Sequence, residues 1–200
     1  VPEAYRFVVC PDCELRFPGE VGVACPLCKT TTELASERCD EPDDTVAEPA
    51  APLAFLLDNV RSVFNVGSIF RSADGSGAGH LYLGGITPTP DHKAMRKTAL
   101  GAEEWIAWSA HNNSVQLAEE LANAGHTLWA LERTRGSEEL FTAALSRPSG
   151  SLVLVLGNEV AGVDPGILPF CERCVHIPMR GSKASLNVAT AMGVAAYALS

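Results

Sequence analysis

From residue 53 onward, short apolar runs alternate with stretches of helical periodicity, and this alternation constrains the fold more than any other feature of the chain. Leu53-Ala54-Phe55-Leu56-Leu57 is apolar throughout, as a strand covered on both faces must be. A helical stretch follows Asn65, with Ile69, Phe70 and Ala73 on one side and Gly75, Gly77 and Gly79 ending it. Residues 80–83 read as the next strand, 114–124 as a helix stopped by Gly125, and 126–131 as a strand. A helix over 138–145, a central strand over 151–156, a short helix near 165–170, a strand at 175–177 and a helix from Asn187 complete the pattern. The class is α/β with a mostly parallel sheet, and such sheets bind ligands at the carboxyl ends of their strands.

The first part of the chain is built on another principle. Cys10, Cys13, Cys25 and Cys28 form two C-x2-C pairs separated by eleven residues. Two such pairs can place four thiolates around one zinc ion, and four protein ligands leave no open position, so the site is structural. A segment over 1–38 is too small for a core of its own, and metal binding would supply folding free energy. The competing reading is two disulfides in a secreted protein. The start VPEAYRFVVCPDCELR has no basic segment followed by a long apolar run, and Cys39 would be left over. Zinc and a cytoplasmic location are therefore expected. Cys171 and Cys174 repeat the spacing without a second pair, and read as incidental half-buried thiols.

Charge separates the two parts. The chain holds 15 Lys+Arg and 24 Asp+Glu, a net charge of −9. Residues 1–52 carry −7 of it, and residues 53–200 only −2. Residues 39–52 are acidic and rich in Pro and Ala, which reads as a linker between a zinc-ribbon module (1–38) and a large domain (53–200). Bulk charge does not favour nucleic acid, and no DNA partner is expected. The acidic N-terminal segment suits a protein partner instead. Local cations remain in the large domain: Arg61, Arg71, the run from His92 to Lys97, and Arg180 with Lys183. No run of about 18 apolar residues occurs, so no membrane-spanning helix is expected.

No G-x-G-x-x-G or P-loop motif is present. Three other segments stand in order. Asn65-Val66-Gly67-Ser68-Ile69-Phe70-Arg71 follows the first strand. Leu154-Val155-Leu156-Gly157-Asn158-Glu159-Val160-Ala161-Gly162-Val163 follows the central one. His176-Ile177-Pro178-Met179-Arg180-Gly181-Ser182 leads into Ser185-Leu186-Asn187-Val188-Ala189-Thr190-Ala191. Together they resemble motifs 1, 2 and 3 of the SpoU (TrmH) family of RNA ribose 2′-O-methyltransferases, in the SPOUT superfamily. The resemblance covers residues 53–200.

That resemblance implies a deep C-terminal trefoil knot, S-adenosylmethionine bound in the knot loops, and an active site shared across a homodimer acting on tRNA or rRNA. It assigns the adenosyl moiety to Leu156, Gly157, Ile177, Met179 and Leu186, which would supply apolar walls and close backbone approach. Arg71 stands at the catalytic position. Guanidinium is a poor base, so an electrostatic clamp on the RNA is the expected role. Asn65 would orient Arg71 or cap its helix. Glu159 would hold Arg71, within one chain or across the dimer, or cap the short helix after the strand. Ser185 and Asn187 form the polar pair of motif 3, with Asn187 positioning ribose or cofactor and Ser185 also a candidate helix cap. Two rivals remain, a base methyltransferase of the same superfamily and a non-catalytic binding module on the same fold.

Overall fold

A computed structural model of the protein describes residues 5–38 and 52–200. The chain divides into two units, Val1–Ala47 and Glu48–Ser200. The expected linker over 39–52, Cys39 included, lies outside the described residues except at Pro52.

In the first unit β1 (Tyr5–Val9) pairs antiparallel with β2 (Arg16–Pro18) on one side and β3 (Glu33–Arg38) on the other. Beyond this sheet lie two turns of identical construction. The Cys10 N–H donates to the Leu15 carbonyl and the Glu14 N–H to the Cys10 carbonyl. Likewise, the Cys25 N–H donates to Thr30 and the Lys29 N–H to Cys25. The residue after the second cysteine is left-handed in both, with φ 58° at Glu14 and 68° at Lys29.

The second unit is a seven-stranded parallel sheet. In chain order its strands are β4 (Leu53–Asp58), β5 (His80–Gly84), β6 (Trp108–His111), β7 (Thr127–Leu131), β8 (Glu138–Glu139), β9 (Leu152–Leu156) and β10 (Arg173–His176). Their spatial order is β6-β5-β4-β9-β7-β10-β8. β4 and β9 lie side by side, and every residue of both is buried, which explains a sequence that is apolar throughout except for the closing Asp58. One face carries α1 (Val63–Gly75), α2 (Met95–Ala99), α4 (Leu140–Ala144) and α5 (Val188–Leu199) over a core that includes Phe55, Ile69, Phe70 and Met192. The other face packs against α3 (Ser114–Asn123) and the turn Leu168–Phe170, around Leu56, Leu117 and Val155.

The expected alternation holds, with local differences. α1 starts two residues before Asn65, because the Ser62 hydroxyl accepts the Asn65 N–H and caps the helix there. Where 138–145 reads as one helix, Glu138 and Glu139 pair with β10, and α4 begins only at Leu140. The strand expected at 175–177 starts at Arg173, which places Cys174 within it. β6 and the short α2 carry too few periodic residues to stand out in the sequence.

Candidate active site

β4 and β9 are neighbours, but the chain leaves them in opposite directions across the sheet. β4 leads through α1 to β5 on one side, whereas β9 leads to β10 on the other. At such a reversal a crevice opens at the carboxyl ends of the strands. Here it is a cavity of about 580 Å³, enclosed by the segments after β7, β9 and β10 and by the start of α5. That volume suits one nucleoside-sized ligand.

Leu156, Gly157, Ile177, Met179 and Leu186, the residues assigned to the adenosyl moiety, all line this cavity. Leu156 is buried at the end of β9, while Ile177 also packs against the core beneath. Gly157 cannot be replaced without moving backbone. A Cβ there would run into the Gly162 carbonyl carbon and the Val163 nitrogen. The loop between is closed by paired bonds between Asn158 and Gly162, 3.0 and 2.9 Å. The chemistry of this lining, apolar walls with backbone polar groups between them, fits an adenosine.

The polar residues of the three motifs meet through hydrogen bonds. The Glu159 carboxylate accepts from the backbone N–H groups of Arg61 (3.0 Å) and Ser62 (3.2 Å), and from Asn65 Nδ2 (2.9 Å). Asn65 Oδ1 accepts from Asn187 Nδ2 at 3.0 Å. Asn187 Oδ1 in turn accepts from the Ala189 and Thr190 N–H groups, capping α5. Burial opposes the charge on Glu159. The donors of Arg61, Asn65 and Ser62, with its own N–H, outweigh it and hold the carboxyl below the ordinary range. One chain of bonds therefore joins the N-terminal ends of α1 and α5 to the loop after β9.

Three capping roles expected from the sequence are corrected by this arrangement. Within the chain Glu159 accepts from the Arg61 and Ser62 N–H groups, just before α1, and from Asn65, and does not cap the turn after β9. The short turn after β9 is capped instead by Asn158, whose Oδ1 accepts from Val160 and Ala161. Asn65 is not the cap of α1, and Ser185 caps no helix, since Asn187 does so for α5. Ser185 lines the cavity and is exposed. Arg71 is exposed on α1 and is not among the residues lining the cavity.

Several residues in or beside the site were not singled out by the sequence. Asp58 is buried at the end of β4, where Oδ1 accepts from Asn59 Nδ2 (2.7 Å) and Oδ2 from the Asp164 N–H (2.9 Å). Asn158 Nδ2 donates to the Asn59 carbonyl at 2.7 Å. A carboxylate closing an otherwise apolar buried strand must find partners, and that signal was available. Glu132 and Arg133 also line the cavity, but nothing in the sequence around them announces it.

In the first unit the sulfur atoms of Cys10, Cys13, Cys25 and Cys28 lie within 4.8 Å of one another. Cys10–Cys28 and Cys13–Cys25 are 3.3 and 3.5 Å apart. Sulfurs about 2.3 Å from a tetrahedral zinc stand about 3.8 Å from each other, so the cluster fits a structural zinc ion. Hydrogen bonds from Thr30, side chain first and then backbone, draw the Cys28 thiol down to about 6. Cys171 behaves oppositely. Burial, with Cys174 close by, pushes its thiol up to about 12, away from the thiolate form.

A parallel α/β sheet with a nucleoside-sized cavity where its strand order reverses, rimmed by three mutually bonded polar loops, defines a nucleotide-cofactor-binding class. Residues 52–197 match the family model of the SpoU rRNA methylase family, and the chain belongs to that family. It is 29% identical over 156 residues to the 23S rRNA (guanosine-2′-O-)-methyltransferase RlmB of Vibrio vulnificus, covering 78% of this chain and 61% of that protein. It is 30% identical over 151 residues to the tRNA (guanosine(18)-2′-O)-methyltransferase of Aquifex aeolicus, covering 72% and 67%. The AdoMet-bound rRNA methyltransferase of Sinorhizobium meliloti superposes with a TM-score of 0.68 at 27% identity, covering 77% of this chain and 57% of that one. The chain thus spans about three fifths of the length of the rRNA-directed relatives it matches.

Proposed function

We propose that this protein transfers the methyl group of S-adenosylmethionine to a ribose 2′-hydroxyl of guanosine in rRNA or tRNA. The bonded chain Glu159–Asn65–Asn187 carries the reading, because it unites one residue from each motif and both of its ends line the cavity. The relatives named above, which act on guanosine 2′-hydroxyls of 23S rRNA and tRNA, support the substrate class.

The bound cofactor supplies a methyl group already activated on a sulfonium, so alignment is the main task left to the protein. Leu156, Gly157, Ile177, Met179 and Leu186 hold the adenosyl group. Asn187, fixed by Asn65 and by the end of α5, orients the ribose, with Ser185 beside it. Arg71 clamps the adjoining RNA phosphate and favours the developing oxyanion. It does not take the proton, because guanidinium stays protonated. The cations Arg61, Arg71, Lys93, Arg96, Lys97, Arg180 and Lys183 are all exposed and supply phosphate contacts in a domain of small net charge.

Arg71 serves the cavity of a second copy. It lies on an exposed stripe of α1 with Phe64, which is 68% exposed, and Ser68. Neighbouring α5 presents Tyr197, 64% exposed, its hydroxyl bonded to the Gly75 carbonyl. This is an apolar face with a cation in it, suited to a homodimer. Mixing Arg71→Ala with a cavity-blocked Gly157→Val chain should then restore part of the lost activity, since one site of the mixed dimer is intact. Two inactive chains that stay inactive when mixed would contradict shared sites.

The C-terminal region is expected to thread as the family's knot. The zinc ribbon and the acidic segment after it serve substrate choice through a protein contact, and the protein works in the cytoplasm. Among the described residues no helix is long and apolar enough to cross a membrane. Removing residues 1–50 should spare cofactor affinity while changing which RNA is modified. The enzyme's target is tested by nucleoside mass spectrometry of rRNA and tRNA from cells with and without the gene. Loss of one 2′-O-methylnucleoside supports the reading. An unchanged ribose pattern with a missing base methylation would replace it by base methylation.

A further inference from the structure

The cavity lining holds two carboxylates, Glu132 and Glu159, and one guanidinium, Arg133. Both carboxylates are committed to the protein. Glu159 receives the start of α1. Glu132 Oε1 accepts the Arg133 N–H at 2.9 Å and Oε2 accepts the Val163 N–H at 3.0 Å. His176, also in the lining, is engaged through Nδ1 with the Ser137 hydroxyl at 3.0 Å. Arg133 differs. Its Nη1 donates to the Ala184 carbonyl at 3.3 Å, and no carboxylate pairs with it among the described residues. Of the five N–H groups of a guanidinium, this bond uses one.

Arg133 is also held at both ends. Glu132 fixes its backbone to the loop after β9, and Ala184 fixes its guanidinium two residues from Leu186, an adenosyl-wall position. A carboxylate entering a cavity that already contains two carboxylates is repelled unless a cation meets it. A planar fork with free donors is the group best shaped to do so.

We propose that Arg133 receives the α-carboxylate of the cofactor's amino-acid moiety, and so selects the complete cofactor over its decarboxylated or truncated forms. The proposal rests on the cavity being the S-adenosylmethionine site. It assigns a role to a residue outside the three motifs.

The test is calorimetric titration of the full chain, wild type and Arg133→Gln, with S-adenosylhomocysteine and with 5′-methylthioadenosine, which lacks the amino-acid moiety. Loss of a charge-assisted pair should weaken S-adenosylhomocysteine about tenfold or more. Affinity for methylthioadenosine should stay within about twofold, since its contacts are untouched. Equal weakening of both ligands would show that Arg133 only shapes the loop, and would overturn the proposal. So would unchanged affinity for both, together with weaker and less salt-sensitive RNA binding, which would assign Arg133 to a phosphate. On the wild-type chain alone, decarboxylated S-adenosylmethionine should bind about tenfold more weakly than the intact cofactor, a comparison that needs no folded variant. Equal affinity there contradicts the proposal. A wild-type chain that binds none of these ligands refutes the cofactor reading of the cavity itself, and the proposal with it.

Discussion

At Glu159 burial works against a charge that four hydrogen-bond donors favour, and the donors prevail. The carboxyl therefore titrates lower in the folded protein than the ordinary value of about 4.3. Its contribution to stability is complete above that unfolded value and is lost as the pH falls through the lower, folded one. Glu159→Gln should thus melt lower than the wild type at about pH 7, and the difference should shrink as the pH is taken toward about 3. Melting temperatures measured across that range check the sign, and a gap that widens in acid would contradict it. Gly157 offers a sharper test. Gly157→Ala sets a methyl group against the backbone of Gly162 and Val163, so the loop must open. Cofactor affinity should fall by more than tenfold with the fold retained, read by calorimetry beside circular dichroism. The residue scale also shows what a sequence conceals. The role of Glu159 is decided by which N–H groups the fold brings within reach, those of Arg61 and Ser62 being nearly 100 residues away.

Among the elements, α1 is where packing and site meet. Gly67 lets α2 approach, since a Cβ there would strike the Thr98 side chain and lie 2.9 Å from the Ala99 nitrogen. Gly67→Ala should therefore cost about 1–3 kcal/mol by overpacking, measured as a lower urea midpoint. The two cysteine turns of the first unit predict the opposite sign. Glu14 holds a left-handed conformation that costs an L side chain about 1 kcal/mol. Glu14→Gly should hold zinc at least as tightly as the wild type, checked by competition with a chelator. The central strands and longer helices were legible because burial on both faces, or on one helical stripe, writes itself into composition. β4, β9 and α3 are examples. β8 was not, nor was the start of α4, because two glutamates join a strand only when β10 lies beside them. The cavity residues of the three motifs were legible through their order along the chain. Glu132 and Arg133 come to the same place through the strand order, which no local pattern records.

For the whole molecule, the uneven charge follows the division into units. Most of the net charge of −9 belongs to residues 1–52, whereas the second unit is nearly neutral and exposes Arg61, Arg71, Lys93, Arg96, Lys97, Arg180 and Lys183. The four-cysteine cluster predicts that the first unit folds around metal, whereas the second rests on a packed sheet. Chelating zinc should remove the melting transition of the first unit and leave that of the second, together with its cofactor affinity, within error. Calorimetric scans with and without chelator read both. The most direct test of the central claim is methyl transfer by the purified chain. Labelled S-adenosylmethionine is supplied with rRNA and tRNA, and the product is digested to nucleosides. The label should appear on ribose as a 2′-O-methylnucleoside whose adjoining phosphodiester resists alkali, and should be absent with Arg71→Ala. Label on a base, or full transfer by the Arg71→Ala chain, would contradict the account.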